Sequence, residues 1–256
     1  MASILPWWNN IVTEYADPRV SDWLLMSSPL PGTVMVVAYL FAVWIGPRLM
    51  ANKQPYSLKN ILLVYNMAMV VLSGYLLHEF LMSGWLTGYT LGCQVVDYSN
   101  SPKALRIFFI LRKKNNQVSF LHVFHHAIMP FSWWFGVKFV AGGFGTFHAT
   151  MNSFIHFMMY IYYGFAALGP AFQRFLWWKR YMTTMQLIQF VLSMVHSSQL
   201  FFTDCGYPQV FAWIIGLYGF IFFILFMDFY VKAYAKTSNK KHQSSNGNAN
   251  VKHKEH

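Results

Sequence analysis

The stretch Leu121-His-Val-Phe-His-His126 lies inside a long apolar run, and it decides how the rest of the chain is interpreted. Its three histidines are His122, His125 and His126. His125 and His126 follow His122 by three and four residues. On an α-helix these offsets share one face, so the three imidazoles converge within a single turn. Ionisable side chains within a membrane span are costly and face a bundle interior or a wet cavity. The pattern therefore predicts a membrane helix bundle built around a histidine cluster.

The composition indicates a polytopic membrane protein. Of the 256 residues, 56% are hydrophobic and only 11% are charged, whereas a soluble domain is about 25% charged. The net charge of +11 lies in short basic clusters between apolar runs and in the tail. Cytosolic membrane loops have this character, so the charge does not indicate nucleic-acid binding. No basic amino-terminal region typical of a cleaved signal peptide is seen, and two cysteines are too few for a disulfide framework or a cysteine metal site.

Six apolar segments are long enough to cross a bilayer, which takes about 20 helical residues. They cover residues 32–50, 61–82, 117–139, 148–168, 182–202 and 210–231. We therefore predict an all-α, polytopic transmembrane bundle of six clear spans, which encloses a tunnel with polar and hydrophobic walls. The membrane-embedded domain is expected over residues 1–235. Residues 236–256 are polar and are expected to form a disordered cytosolic tail.

The distribution of positive charge calls for a seventh crossing. The basic loops are 48–59, 112–114, 174–180 and the tail, and the loops almost free of positive charge are 83–102, 140–147 and 203–208. Because cytosolic loops carry the excess of Lys and Arg, the two sets alternate in side only if the chain crosses the membrane between residues 102 and 112. The apolar run there has five uninterrupted residues, which is too short for a span. The charge pattern thus implies seven crossings, while the chain supplies six.

Two of the later spans each carry a polar stripe. The stripes consist of Asn152, His156, Tyr160 and Tyr163 in one span and Thr183, Gln186, Gln189, Ser193 and His196 in the next. Spacings of three and four place each stripe on one helix face, so we expect both to border a polar cavity shared with the histidines. Each residue taken alone can instead form a structural hydrogen bond between helices. This alternative stays open for Asn152 and Gln186, and it is favoured for Tyr160, Tyr163, His148 and His196.

A neutral imidazole can act as a nucleophile, a general base or a metal ligand. The spacing His-x-x-His-His also occurs as one histidine box of membrane di-iron oxygenases, which need several such boxes. Here only His148, His156 and His196 could add to the triplet within the later spans, and they contain no second histidine pair. Metal-free chemistry is therefore preferred. A di-iron desaturase or hydroxylase is the alternative.

Three ordered motifs resemble those of the ELO family of very-long-chain fatty acid elongases. The segment Leu111-Arg-Lys-Lys-Asn-Asn-Gln-Val-Ser-Phe-Leu-His-Val-Phe-His-His126 resembles the family signature. His156-Phe-Met-Met-Tyr-Ile-Tyr-Tyr163 resembles the motif His-x-x-Met-Tyr-x-Tyr-Tyr, and Thr183-Thr-Met-Gln-Leu-Ile-Gln189 resembles Thr-x-x-Gln-x-x-Gln. The similarity extends over nearly the whole membrane portion.

The resemblance implies a seven-helix enzyme of the endoplasmic reticulum membrane that condenses malonyl-CoA with a long-chain acyl-CoA to 3-oxoacyl-CoA. No cofactor or metal is implied; the partners are the two CoA esters, membrane lipid and possible elongase copies or other elongation-cycle enzymes. His125 resembles the nucleophile that forms an acyl-imidazole, with His122, His126 and His156 as base, orienting group or second contact. The implied substrate-binding residues are Asn152, Tyr160, Tyr163, Gln186, Gln189, Arg112, Lys113 and Lys114. The last three would hold CoA phosphates, or would simply be positive-inside anchors.

One departure from the family pattern coincides with the charge anomaly. The family carries a Lys-x-x-Glu-x-x-Asp-Thr motif in the helix before Leu-Arg-Lys-Lys. This chain passes directly from Ser101-Pro-Lys-Ala-Leu-Arg106 to Ile107. About one span of roughly 20 residues is missing there. We therefore expect this chain to be impaired as an elongase, and an inactive elongase-like partner of intact elongases is the alternative.

Two smaller signals concern the ends of the bundle. The final residues, Lys252-His-Lys-Glu-His256, resemble a Lys-x-Lys-x-x retrieval signal based on Lys252 and Lys254, which requires a cytosolic C-terminus. Cys93 and Cys205 lie in two of the neutral loops assigned to the lumen, where the redox conditions permit a disulfide. A bridge between them is the hypothesis, and two free buried thiols are the alternative.

Overall fold

A computed structural model describes residues 6–21, 23, 25–54, 57–99 and 120–235. The regular structure in these ranges is entirely helical, so the predicted all-α class holds for them. The longer helices are α1 Pro6–Tyr15, α2 Leu30–Met50, α3 Lys59–Phe80, α4 Phe120–Phe139, α5 Thr146–Leu168, α6 Lys179–Ser198 and α7 Gln209–Tyr230. The predictions for residues 100–119 and 236–256 lie outside the described residues. They include Arg112, Lys113, Lys114, Lys252 and Lys254.

Helices α2 to α7 occupy the six predicted apolar segments, with ends that differ by a few residues. Within the described residues, three stretches are long and apolar enough to cross a membrane, namely Leu30–Met50, Lys59–Trp85 and Gln209–Tyr234. Helices α4, α5 and α6 carry the histidines and the polar stripes, which lower their hydropathy. A bundle can turn such polar faces inward, because only the outer face of each helix meets lipid.

The described helices form an arc around one interior. Helix α3 packs against α5, α5 against α6, α6 against α7, and α7 against α4, while α2 lies on the outside of α4. None of the residues of α2 is buried, and the helix is apolar all round, as expected of a helix surrounded by lipid. Helices α3 and α4 follow one another in the described chain without packing extensively together. Within the described residues, the arc therefore has a gap between these two helices.

Three loops meet at one end of the arc. Cys93, after α3, is joined to Cys205, after α6, by a disulfide with a Cα–Cα distance of 5.6 Å. The backbone N–H of Phe144, after α4, donates to the carbonyl of Gln94 at 2.9 Å. These are the three loops with almost no positive charge, which the charge pattern predicted to share one side. We call this end the loop end of the bundle.

Helices α3 and α4 run in the same direction. Helix α3 leads into the loop that holds Cys93, and α4 leads into the loop that holds Phe144, so both helices run toward the loop end. Helix α4 has 20 residues, which corresponds to about 30 Å of helix. The predicted seventh crossing, between residues 102 and 112, lies outside the described residues.

The segment before α2 packs against the loop end of α4. The N–H of Asp17 donates to the carbonyl of Lys138 at 2.8 Å, and Trp134 Nε1 donates to the carbonyl of Leu25 at 2.8 Å. The Asp17 carboxylate forms a salt bridge with Arg19, and both side chains are buried. A buried charge needs a partner and further hydrogen bonds. Arg19 also donates to the carbonyls of Asp97 and Ser99 after α3, which ties the segment to the folded bundle.

Replacing Gly143 by alanine is expected to destabilise the loop end strongly. Gly143 has φ +57°, and a Cβ there would lie 2.8 Å from both the carbonyl carbon of Val95 and the nitrogen of Val96. The left-handed backbone alone costs a non-glycine residue about 1–2 kcal/mol, and the backbone clash adds to it, so we expect a loss of about 3 kcal/mol or more. The measurement is the unfolding temperature of the purified protein in detergent. Gly206→Ala is the control, because Gly206 has φ +65° with no atom within 4 Å of the added Cβ; equal losses at the two positions would contradict the steric explanation.

The disulfide gives a second stability prediction. The bridge closes a loop with a sequence separation of 112 residues, and removing a bridge of this kind typically costs about 2–4 kcal/mol. Cys93→Ser and Cys205→Ser are each expected to lower the unfolding temperature, and the double variant should lower it no further than either single variant. Peptide mass mapping without reductant should recover the linked peptides. Additive effects of the two substitutions, or free thiols in the mapping, would refute the bridge.

Candidate active site

Three of the predicted catalytic histidines lie together at the interface of α4 and α5. The ring centroids of His125 and His126 are 5.0 Å apart, and those of His125 and His156 are 6.2 Å apart. Helical geometry places the first two side by side on α4, and the packing of the bundle brings His156 to them from α5. His122 lies on the same turn of α4, but its side chain lies outside the described part of the structure.

Aromatic rings surround these histidines on three sides. Phe222 of α7 has its ring centroid 5.2 Å from that of His125, and Tyr39 of α2 lies 6.4 Å from His126. Tyr160 contacts His156 at 5.9 Å and Tyr65 of α3 at 6.0 Å, in both cases edge to face. The cluster is therefore walled by apolar surface, and its imidazoles are half-buried.

The glutamines of the α6 stripe lie at the level of the histidines. Gln186 Nε2 is 3.9 Å from the sulfur of Met159, one turn beyond His156 on α5. The next residue after Gln189 is Phe190, whose ring packs 6.0 Å from Phe222, the residue that also contacts His125. Phe190, the neighbour of Gln189, therefore packs on the ring that contacts the histidine cluster.

Gln189 has a buried donor that the described residues leave unused. Its side chain is 1% exposed, and no acceptor for Nε2 is found within the part of the chain that the structure describes. A buried donor without an acceptor costs about 1–3 kcal/mol. Such a group either costs stability or receives an acceptor from water or a ligand.

The other two predicted substrate-binding residues lie along the same face of α5. Asn152 is half-buried one turn before His156, and Tyr163 is half-buried three residues after Tyr160. Tyr163 packs on Tyr162 at 5.8 Å. Neither Asn152 nor Tyr163 is among the residues that line the described cavity.

A cavity of about 120 Å³ begins one helical turn beyond His125. It runs between α4, α5 and α7 toward the loop end. Its lining on α4 includes Met129, Ser132, Trp133, Gly136, Val137 and Val140, which continue the helix face of His125. On α7 the lining includes Tyr218, Ile215, Ile214 and Phe211, which continue the face of Phe222. The walls are mainly apolar, and none of the stripe residues lines this cavity. The polar cavity shared with the histidines stays a prediction.

His148 and His196 are engaged away from the histidine cluster. His148 lines the cavity, with Nδ1 3.2 Å from Ser193 Oγ and its ring stacked on Trp133. His196 lies between Phe144 and Phe147, with centroid distances of 4.0 and 4.2 Å and nearly parallel rings. These are the two histidines that a second histidine box would have required. The described geometry therefore offers the di-iron interpretation no additional ligands from them.

Several contacts of the site could not be predicted from the sequence. Tyr39 and Phe222 contact the histidine cluster, and Tyr65 contacts Tyr160 beside it. Aromatic residues at helical spacing look the same in a sequence whether they face lipid, core or substrate. His148 carried a signal, because its offset of four residues from Asn152 extends the α5 stripe by one turn. A longer window on that stripe would have included it.

The chain matches the ELO: GNS1/SUR4 family over residues 24–107 and 106–242. It is 51% identical to very long chain fatty acid elongase 7 of Rattus norvegicus, over 93% of this chain and 92% of that protein. It is 49% identical to very long chain fatty acid elongase 1 of Homo sapiens, over 88% of each chain. The two family-matched stretches meet at residues 106–107.

The lengths of these alignments show how many residues the relatives have that this chain lacks. The alignment with the rat protein has 260 positions and covers 93% of the 256 residues, about 238, which leaves about 22 positions without a residue of this chain. The alignment with the human protein has 247 positions and covers 88%, about 225 residues, which again leaves about 22. One membrane span takes about 20 residues. The relatives thus carry about one span more than this chain.

Proposed function

The chain belongs to the ELO family, and on that premise we propose that it acts in fatty acid elongation as a 3-oxoacyl-CoA synthase of the membrane. The reaction joins malonyl-CoA to a long-chain acyl-CoA. The observation that carries the proposal is the meeting of His125, His126 and His156 one helical turn from an apolar cavity. The names of the relatives, very long chain fatty acid elongases, support the class of reaction.

The apolar cavity holds the acyl chain. Burying hydrocarbon is favourable by about 25 cal/mol per Å², and the lining between α4 and α7 is almost entirely apolar. Because the lining continues the faces of His125 and Phe222, a chain seated there places its thioester next to His125. The cavity and the histidines then form one continuous site.

The first chemical step transfers the acyl group to His125. A ring nitrogen of His125 attacks the thioester carbonyl carbon, the carbon–sulfur bond breaks, and CoA leaves with the bonding pair. The imidazole proton passes to His126 or His156, the two neighbouring bases, and then to the CoA thiolate. His122 completes the triplet on the same turn. A thioester is already an activated acyl donor, so this step needs no metal and no cofactor.

The second step forms the new carbon–carbon bond. Malonyl-CoA loses carbon dioxide, and the electron pair of that bond becomes an enolate that attacks the acyl carbon on His125. The carbon–nitrogen bond then breaks, and the leaving nitrogen takes up a proton from the medium through the neighbouring histidines. This restores the imidazole and releases a 3-oxoacyl-CoA that is two carbons longer than the acyl-CoA. Donors aimed at the enolate oxygen lower the barrier. The unused Nε2 of Gln189 is suited to this role, with Asn152 and Gln186 nearby on the facing stripes.

The remaining predicted residues bind the rest of the two substrates. Tyr160 and Tyr163 continue the α5 face beyond His156, on the side of the cluster away from the cavity. Arg112, Lys113 and Lys114 precede α4 at the basic end of the bundle and would pair with the phosphates of CoA. The CoA moiety therefore enters from the end opposite the loop end.

The cellular location is inferred from the apolar helices, the family and the charge of the loops. Its apolar helices and its family make the chain a multi-pass membrane protein. We place it in the endoplasmic reticulum, with the basic loops and the C-terminus in the cytosol and the loop end in the lumen. Lys252 and Lys254 would act there as a retrieval signal, and the disulfide would lie on the oxidising side. Membrane lipid surrounds the bundle, and further elongase copies or elongation-cycle enzymes are candidate partners.

The missing span impairs this particular chain. Among the described residues the arc is open between α3 and α4, and we infer that the missing segment would pack there against the histidine helix. Water excluded from a closed site can enter an open one, and the acidic pair and lysine of the family motif are absent. The second candidate function follows from this observation: an inactive elongase-like chain that assembles with intact elongases.

A two-stage assay tests the proposal on the purified chain in detergent. Incubation with acyl-CoA should produce a mass increment of one acyl group on the peptide that contains His125, without added iron. Addition of malonyl-CoA should then yield little 3-oxoacyl-CoA. A missing acyl adduct would remove the acyl-transfer proposal, and co-purification with an intact elongase without any adduct would favour the second candidate. Stoichiometric iron that proves essential for an oxygen-dependent product would contradict both candidate functions and favour a di-iron enzyme.

A further inference from the structure

Tyr207 closes the cavity at the loop end of the bundle. It lies in the loop between α6 and α7, is 4% exposed, and lines the cavity. Behind it lies a buried apolar cluster that includes Val96, Phe144 and Leu200. The phenol ring therefore stands between the cavity and the packed end of the bundle, and it forms the floor of the cavity.

This floor is held in place from three directions. The disulfide fixes Cys205, two residues before Tyr207, to the loop after α3. The ring of Tyr207 packs 5.5 Å from that of Phe144. Its hydroxyl lies over Gly145, where an added Cβ would be 2.9 Å from the oxygen. A ring tethered, packed and seated in this way cannot swing aside without disturbing the whole loop end.

Burial also keeps the hydroxyl neutral. The pKa of Tyr207, in the loop outside the spans, is raised above its ordinary value because burial disfavours the phenolate, and the nearby Tyr98 adds to this effect. A neutral ring presents an uncharged surface to the methyl end of an acyl chain. Because the ring lies at the end of the cavity, its volume should determine how far an acyl chain can extend.

The path from the histidines to this floor has a definite length. Val140, near the floor, lies 15 residues beyond His125 on α4, and helix rises about 1.5 Å per residue, which gives about 22 Å. An acyl chain attached at His125 and longer than this path has to displace the floor. We propose that Tyr207 sets the maximum length of the acyl chain that this protein accepts. This inference rests on the proposed function, since it requires that the cavity take the acyl chain.

The test uses the purified full chain and measures binding rather than turnover. Thermal stabilisation is recorded with a series of saturated acyl-CoAs that lengthen by two carbons at a time, and the longest one that still stabilises the protein is the length limit. Tyr207→Ala should move this limit upward by at least two carbons. Tyr207→Phe should leave it unchanged, because the ring remains. Phe202→Ala is the matched control in the same loop, since Phe202 is 88% exposed and lies away from the cavity lining, and it should also leave the limit unchanged.

Gly145→Ala provides a second variant that moves the floor. Its added methyl group would lie 2.9 Å from the Tyr207 hydroxyl oxygen, so the ring has to shift and the length limit should change. A substitution that merely loosens the fold would weaken the binding of all chain lengths together and would not move the limit. A limit that stays at the unsubstituted value in Tyr207→Ala and Gly145→Ala would overturn the inference. Binding by the unsubstituted chain tests the proposed function separately, so the two failures can be told apart.

Discussion

Insertion of the missing segment between Arg106 and Ile107 is expected to raise the rate of 3-oxoacyl-CoA formation by about a hundredfold or more. The inserted residues are the roughly 22 that the relatives carry at this position. The expected gain has two physical sources. A seventh helix closes the arc between α3 and α4 and fixes the helix that holds the histidines, and misplacement of a reacting group by about 1 Å can cost a hundredfold in rate. Closure also excludes water from the acyl-imidazole.

The measurement compares the two forms in membranes that lack other elongases. Labelled malonyl-CoA reports condensation, and the acyl adduct on the His125 peptide reports the first step. A second insert of equal length and hydropathy, without the lysine and the two acidic residues of the family motif, separates closure of the bundle from chemistry on that motif. If the chain as it stands forms 3-oxoacyl-CoA as fast as the repaired form, the missing span is not needed for the reaction, and the gap between α3 and α4 does not impair it.

Much of the fold could be predicted because membrane helices can be recognised in a sequence by their length and apolar composition. The six segments appear as helices within a few residues of the predicted ends. The clustering of the neutral loops was also predictable, because positive charge sorts the loops by side. The disulfide between Cys93 and Cys205 and the hydrogen bond from Phe144 to Gln94 now join loops that charge alone had grouped. Residues 1–30, in contrast, gave no clear pattern, since Asp17 and Arg19 are buried only through contacts distant in sequence.

The candidate site was predictable to the extent that it depends on helical spacing. His125 and His126 share a face by geometry, and His156 belongs to a stripe that had to turn inward. What spacing could not supply is the depth of each residue and its neighbours on other helices. The residues of the α6 stripe differ accordingly. Gln189 is buried with its Nε2 unused among the described residues, whereas His196 is packed between two phenyl rings near the loop end.

The described cavity is not bordered by the polar stripes. Ser193 Oγ of the α6 stripe lies 3.2 Å from His148 Nδ1 of α5, whereas His156 and Tyr160 of the α5 stripe contact rings of α4 and α3. The open volume lies instead between α4 and α7, whose faces carry rings and branched aliphatic side chains. Volume remains where bulky side chains fail to interlock, and that property depends on three-dimensional packing rather than on the period of one helix.

His125→Ala in the repaired chain is expected to reduce 3-oxoacyl-CoA formation at least a thousandfold. The substitution removes the nitrogen that carries the acyl group, and loss of a covalent nucleophile typically costs a thousandfold to a millionfold in rate. The acyl adduct on the peptide containing residue 125 should disappear at the same time. His156→Ala should retain the adduct at a reduced rate, because the nucleophile is present while a neighbouring base, worth about a hundredfold to ten-thousandfold, is lost.

The matched control is His196→Phe. His196 is as buried as a catalytic residue but stacks between Phe144 and Phe147, so a phenyl ring preserves its packing, and the rate should stay within about twofold of the repaired chain. The comparison distinguishes a nucleophile from a histidine that only supports the fold, since both variants lose an imidazole from the same bundle. Should His125→Ala keep full activity while unfolding at an unchanged temperature, the acyl group is carried elsewhere and the assignment of His125 fails. Should both variants lose activity together with their unfolding transition, the loss is one of folding, and the adduct measured on His156→Ala then decides whether His125 is the acyl carrier.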